Sequence, residues 1–174
     1  HTVSPVSSYP QADPFISIYT GRTSAGAVTP VRTIRRTGPL KSLDIELRPV
    51  AGDFNGDGKA DLAVLEAIRS SPSSPALTGN VYLFWDIASS TRPAALDLFL
   101  DADVTITSDT SSGIIDTISS GLAPDIDRDG RSDLLLGTTT ADVVNGSLKI
   151  DAGRVYVIHG TPQKSTLPSI VDQL

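Results

Sequence analysis

Asp53-Phe54-Asn55-Gly56-Asp57-Gly58-Lys59-Ala60-Asp61 is the stretch that decides how this chain reads. It returns 72 residues later (125 − 53) as Asp125-Ile126-Asp127-Arg128-Asp129-Gly130-Arg131-Ser132-Asp133. Each copy sets oxygen-bearing side chains at positions 1, 3 and 5, a glycine at position 6 and an aspartate at position 9. A tight loop turns alternate positions toward one point, and position 7 adds its backbone carbonyl. Such an all-oxygen set suits a hard divalent cation, calcium first of all. The first set is Asp53, Asn55, Asp57 and the Lys59 carbonyl; the second is Asp125, Asp127, Asp129 and the Arg131 carbonyl. Gly58 and Gly130 stand where the chain must turn sharply and a Cβ would be costly. Lys59 and Arg131 need only their carbonyls and are expected to point outward. Asp61 and Asp133 close the sets, directly or through water. The loops hold seven aspartates between them, which would repel without a cation, and no nearby residue is expected to neutralise both loops.

An EF-hand would carry a bidentate Glu at position 12, where this chain has Val64 and Leu136. Each loop instead runs into a strand-like segment: Asp61-Leu62-Ala63-Val64-Leu65 and Asp133-Leu134-Leu135-Leu136-Gly137 suit strands buried on both faces. The surroundings repeat too. Leu43-Asp44 and Ile115-Asp116 each precede their loop by the same distance, and Val50-Ala51 matches Leu122-Ala123. Downstream lie two closing strands, Asn80-Val81-Tyr82-Leu83-Phe84-Trp85 and Arg154-Val155-Tyr156-Val157-Ile158-His159. Phe15-Ile16-Ser17-Ile18-Tyr19-Thr20-Gly21 reads as another copy of that strand, at spacings of 65 (81 − 16) and 74 (155 − 81) residues. Pro93-Ala94-Ala95-Leu96-Asp97-Leu98 and Leu167-Pro168-Ser169-Ile170-Val171-Asp172 recur after the closing strands. Residues 94–100 and 167–174 read as connectors or irregular strands, and no segment makes a long amphipathic helix. All-β units at this period point to a propeller.

Composition narrows the function. A net charge of −6 on 174 residues argues against a nucleic-acid surface, which needs a basic face. Two calcium ions would bring it to −6 + 4 = −2, so the acidity reads as metal ligands. The absence of cysteine excludes disulfides, zinc-thiolate sites and thiol nucleophiles. No apolar run approaches the ~20 residues of a membrane helix. A chain without methionine that begins His-Thr-Val reads as a processed mature chain or an excerpt. The basic cluster Arg32, Arg35 and Arg36 is expected to be a solvated face, with a docking patch for an acidic partner as the other reading.

The unit apolar-Ala-x-Asp-x-Asn/Asp-x-Asp-Gly-x-x-Asp-Leu-apolar-apolar, joined downstream by Gly-x-Val-Tyr-apolar-apolar, resembles the FG-GAP repeat of integrin α-subunit-like β-propellers. The resemblance covers residues 43–86 (repeat 1) and 115–160 (repeat 2), with a remnant strand at 15–21, so residues 1–174 form one propeller segment. It implies four-stranded antiparallel blades, each with calcium in the loop between its first two strands. The implied ligands are Asp53, Asn55, Asp57, Lys59 (carbonyl) and Asp61, then Asp125, Asp127, Asp129, Arg131 (carbonyl) and Asp133. The Gly-Ala-Pro element of the repeat is eroded here to Glu66-Ala67-Ile68 and Gly137-Thr138-Thr139. About two complete blades plus part of a third make an incomplete ring, since propellers use ~4–8 blades. Remaining blades or partner chains are therefore expected to complete it, within an oligomer or larger assembly.

Enzymatic chemistry has little to stand on. His1 is terminal, and His159 aligns with Trp85 and Thr20, a tolerated position rather than a general base. No Gly-x-Ser-x-Gly elbow occurs. A metal-dependent hydrolase would need an open ligand position, and the aspartate sets look saturated. Trp85, Tyr82 and Phe84 suit core or inter-blade packing, with a sugar-binding pocket as the other reading. Asn145-Gly146-Ser147 is a glycosylation sequon, meaningful in a eukaryotic secreted protein. The expectation is a non-enzymatic, two-calcium propeller module, extracellular, at the cell surface or periplasmic, serving protein–protein interaction or structural assembly. A glycan-binding lectin-type propeller is the alternative.

Overall fold

Strand β4 (Asp61–Arg69) is buried at every residue from Asp61 to Ile68, and this places it at the centre of the molecule. Its side chains alternate between two cores, as the pleat requires. Leu62 and Val64 enter one; Ala63 and Leu65 enter the other. The computed structural model describes residues 14–19, 30–37, 43–107, 113–119, 121–145 and 147–162. Residues 1–13, Thr20 and Gly21, and the recurrence at 167–174 lie outside the described residues.

The other strands are β1 (Phe15–Ile18), β2 (Arg32–Arg35), β3 (Asp44–Gly52), β5 (Ala76–Phe84), β6 (Ala95–Asp97), β7 (Val104–Thr107), β8 (Ile115–Ile118), β9 (Gly121–Leu122), β10 (Leu134–Thr138), β11 (Val143–Asn145), β12 (Ser147–Lys149) and β13 (Arg154–Ile158). There is no helix among the described residues, so the chain is all-β. None of the four sheets closes on itself; their orders are β1-β2-β6, β7-β5-β4-β3-β9, β13-β10-β8 and the hairpin β11-β12.

The central sheet carries repeat 1 as β3-β4-β5, continues the antiparallel meander with β7 from beyond residue 86, and is extended at its other edge by the parallel β9. Repeat 2 gives three antiparallel strands, β8, β10 and β13. Residues 43–86 thus hold three strands of the expected four, the fourth neighbour β7 lying beyond them, and residues 115–160 give three strands to their own sheet, among the described residues. The first strand of repeat 2 is broken: β8 stops at Ile118, and residues 121–122 pair with β3 of the neighbouring sheet instead. Pro49 is tolerated in β3 because β9 bonds only Val50 and Ala51, leaving that edge open where the proline lacks its N–H.

The sheets stack face to face through two apolar clusters. Ile34, Leu96 and Leu98 meet Leu62, Val64, Tyr82 and Phe84 on one face of the central sheet. Val81, Leu83, Trp85 and Ile106 meet Ile115, Leu134, Leu136 and Ile158 on the other. The aromatic trio Tyr82, Phe84 and Trp85 is therefore core, with no face left for a sugar.

The basic cluster departs from both sequence expectations. Arg32 is buried, and its guanidinium donates to the carbonyls of Pro93 (2.8 Å), Ser89 (2.8 Å), Arg92 (2.9 Å) and Ile87. Burial, then the nearby Arg92, lowers its pKa from the ordinary arginine value. Arg36 is buried and ion-paired to Glu66 of β4 at 2.6 Å, and it lies over the Phe99 ring. Only Arg35 is exposed, stacked on Phe15. The connector after β5 can be polar and irregular because Arg32 satisfies carbonyls that would otherwise be stranded in the interior.

Candidate metal centre

The first loop leaves β3 and enters β4; the second leaves β9 and enters β10. Both have one backbone conformation. Position 4 is left-handed in each, at Gly56 (φ 74°) and Arg128 (φ 63°), and so is position 6, at Gly58 (φ 78°) and Gly130 (φ 87°). The glycines at position 6 are where the sequence required them. Arg128 adopts the same turn at some conformational cost.

The side-chain bonds repeat as well. Asp53 accepts from the N–H groups of Gly56 (2.7 Å), Asp57 (3.1 Å) and Gly58 (2.8 Å). Asp125 accepts from Asp129 (3.1 Å) and Gly130 (3.0 Å). Position 3 accepts from the N–H of position 5 in both loops, Asn55 at 2.9 Å and Asp127 at 3.2 Å. These bonds hold the side-chain oxygens of positions 1 and 3 on the inside of the turn. Oxygens of Asp125, Asp127 and Asp129 all lie within 4.8 Å of one another, close enough to share one cation. In the first loop position 3 is an uncharged amide, so that set has less charge. The residues present fit a hard divalent ion by donor chemistry, oxygen throughout.

Asp61 and Asp133 are fully buried and act as internal braces. Asp61 accepts from Phe54 N–H (3.0 Å) and Asp86 N–H (2.8 Å); Asp133 accepts from Ile126 N–H (2.7 Å) and Gly160 N–H (2.9 Å). Each oxygen keeps a second lone pair for a metal. Their titration differs. Burial, reinforced by the Asp57 and Asp53 charges, pushes Asp61 up to about 6 against the two N–H bonds. At Asp133 burial also raises the pKa, but the Gly160 and Ile126 N–H groups and the His159 imidazole outweigh it, and the pKa falls below the ordinary carboxylate value.

Two expectations need correction. Arg131 does not point outward: its guanidinium folds back onto Asp129 and donates from Nε to the Gly160 carbonyl at 3.1 Å. Lys59 is exposed as expected, yet its ammonium lies 3.3 Å from Asp86 and 3.7 Å from Asp57, which raises its pKa through Asp86 first. The loops therefore do have basic neighbours, Lys59 at the first and Arg131 and His159 at the second, which partly offset the carboxylate repulsion. Sequence reasoning read His159 as a tolerated position and not as a neighbour of the loop, yet its Nδ1 lies 3.3 Å from Asp127 and 3.4 Å from Asp133. The available signal was its alignment with a tryptophan in the other repeat.

The two loops also touch. Ser132 N–H donates to the Asp53 carbonyl (2.8 Å) and Thr161 N–H to the Phe54 carbonyl (2.9 Å), so repeat 2 roofs the loop of repeat 1. Asn55 is accordingly buried, whereas the equivalent Asp127 is exposed. The sequon residue Asn145 ends β11, while Gly146 lies outside the described residues. No helix among the described residues is long and apolar enough to cross a membrane. Comparison with protein-family models, with curated proteins and with solved structures finds no match to this chain.

Proposed function

We propose that the chain is a segment of a calcium-binding β-propeller, a non-enzymatic module for extracellular protein–protein interaction or structural assembly. The observation that carries this reading is the pair of oxygen-rich loops with one backbone conformation, each linking consecutive strands of its repeat. Calcium would be held by Asp53, Asn55, Asp57, Asp61 and the Lys59 carbonyl, and by Asp125, Asp127, Asp129, Asp133 and the Arg131 carbonyl. It would neutralise each loop and lock its turn, adding stability because it binds the folded form alone.

The open stack supports the assembly half of the reading. Three sheets follow one another face to face, and among the described residues the outermost faces carry exposed apolar side chains: Val155 (71% exposed) and Val157 (39%) on β13, Phe15 (55%) and Tyr19 (51%) at β1. Apolar sheet faces of this kind are ordinarily covered. The exposed second loop, lacking the roof that repeat 2 gives the first, extends the same pattern. Further blades, from this chain's longer parent or from partner chains, would cover these faces. The glycan-binding alternative loses the residues that motivated it, since Trp85, Tyr82 and Phe84 are buried.

Isothermal titration of metal-stripped protein with calcium tests the metal reading. Two ions should bind, and saturation should raise the melting temperature; Asp57→Ala with Asp129→Ala should abolish both effects. A flat titration with an unchanged melt would refute calcium.

A further inference from the structure

The second loop has a donor that the first lacks. Where repeat 1 ends its closing strand with the buried Trp85, repeat 2 ends with His159, and the imidazole faces the loop. Two overlapping sets of donors result. Asp125, Asp127 and Asp129 form an all-oxygen trio, while Asp127, Asp133 and His159 form a mixed trio whose donor atoms all lie within 4.8 Å of one another. We propose that the mixed trio is a binding site for a divalent transition metal of the zinc class, overlapping the all-oxygen set, with His159 Nδ1 and one oxygen each from Asp127 and Asp133 as its ligands.

Three observations carry this. The first is spacing. His159 Nδ1 is 3.3 Å from Asp127 Oδ2 and 3.4 Å from Asp133 Oδ1. Ligands bonded to zinc at ~2.0–2.1 Å and separated by the tetrahedral angle stand about 3.3 Å apart. The second is rigidity. Asp133 is fully buried and oriented by the Ile126 and Gly160 N–H groups, the outer bonds that aim a ligating carboxylate. His159 sits between Ile158, which is buried in the core, and Gly160, whose N–H and carbonyl are both bonded to the loop. Gly160 is packed so closely that a Cβ there would lie 2.7 Å from the Ser132 carbonyl. The third is donor chemistry: an imidazole with two carboxylates favours borderline ions, whereas calcium takes oxygen alone. Three protein ligands leave a fourth position to water. Asp127 and Asp133 also belong to the calcium set of the second loop, so calcium at the loop and zinc at the mixed trio compete.

The inference needs the second loop to hold a metal, but it does not need that metal to be calcium. The test uses the full chain, stripped of metal, in calcium-free buffer, with His1→Ala as background to remove the other imidazole. Zinc is titrated calorimetrically, and cobalt by its visible absorption, which reports nitrogen–oxygen coordination. One zinc should bind per chain, and His159→Ala should weaken it by at least about tenfold, the loss expected when a ligand or its support goes. The same variant should leave calcium binding unchanged. Asp125→Asn should weaken calcium and spare zinc, and Asp127→Asn should weaken both. The half-exposed position of His159 makes the substitution tolerable, and His159→Gln with a melting curve guards against a folding defect. Zinc affinity unchanged in His159→Ala would reduce the cluster to an ion pair and overturn the proposal; so would equal loss of zinc in Asp125→Asn. Absence of calcium binding alongside His159-dependent zinc binding would refute the calcium reading and leave this one standing.

Discussion

The backbone of Asp53 is bonded on both sides to Ser132: the Ser132 N–H donates to the Asp53 carbonyl at 2.8 Å, and the Asp53 N–H donates to Ser132 Oγ at 3.1 Å. Residue 1 of the first oxygen-rich loop is thus held by residue 8 of the second. Gly52 and Gly56 leave room for this approach, since a Cβ on either would press into Ser132 or Arg131. The two candidate metal loops are mechanically joined, although their oxygen sets do not overlap.

Ser132→Ala leaves the Asp53 N–H without its hydroxyl acceptor in a half-buried place. A lost bond of this type costs about 1–2 kcal/mol. Calcium affinity of the first loop should fall as well, although Ser132 is no ligand, because Asp53 loses its anchor. Titration of the variant checks this, and an affinity equal to wild type would dismiss the coupling.

Glu66 and Arg36 tie the first sheet to the central one inside an apolar core, 2.6 Å apart with side chains 1% and 5% exposed. Glu66→Ala strands the guanidinium and should destabilise by about 3–5 kcal/mol, whereas replacing both partners with apolar residues of similar volume should cost far less. Denaturant melts of the single and double variants decide between a stabilising pair and one that only specifies the stacking.

Arg32 is irreplaceable for geometric reasons. Its fork reaches four carbonyls of residues 87–93, and an ammonium is a compact point charge without that fork. Arg32→Lys should cost about 2–3 kcal/mol by leaving carbonyls unpaired. The 87–93 segment should then lose hydrogen-exchange protection before the rest of the fold.

Gly79 lies on β5 where the third sheet crosses it, and a Cβ at that point would overlap the Ile115 carbonyl oxygen. Gly79→Ala should therefore separate the two sheets and destabilise by about 1–3 kcal/mol, the range for overpacking. A melting temperature equal to wild type would contradict the close approach.

Asp97 links acid stability to the β2–β6 pairing. Burial raises its pKa, but bonds from Thr37, Leu100 and Phe99 and the charge of Arg36 outweigh it, so the folded value lies below the ordinary one. A depressed folded pKa gives stability that is complete above the unfolded value, ~3.9, and is lost as pH falls through the folded value. Asp97→Asn should flatten the stability profile below about pH 4, measured by denaturant melts across pH.

How far the sequence went can be seen residue by residue. The apolar run Leu62-Ala63-Val64-Leu65, its counterpart Leu134-Leu135-Leu136 and the glycines at 58 and 130 were enough for an all-β chain with two like turns, because these features act locally. Phe15 and Arg154 begin strands near their expected places for the same reason. Arg32 and Arg36 were misjudged as surface, since nothing local reveals that carbonyls 55 to 61 residues away, or Glu66, would converge on them. Arg131 folded inward because Asp129 and the Gly160 carbonyl offered partners that solvent did not outbid.

The sequence by itself therefore determined the oxygen-rich loops, their spacing and the strands that bracket them, all products of short-range backbone preference and side-chain period. Only the tertiary structure decided that one loop is roofed and the other exposed, that Ser132 grips Asp53, and that His159 stands beside Asp127 and Asp133. Those outcomes depend on how one sheet is laid upon the next, which packing of buried faces sets and no local pattern encodes.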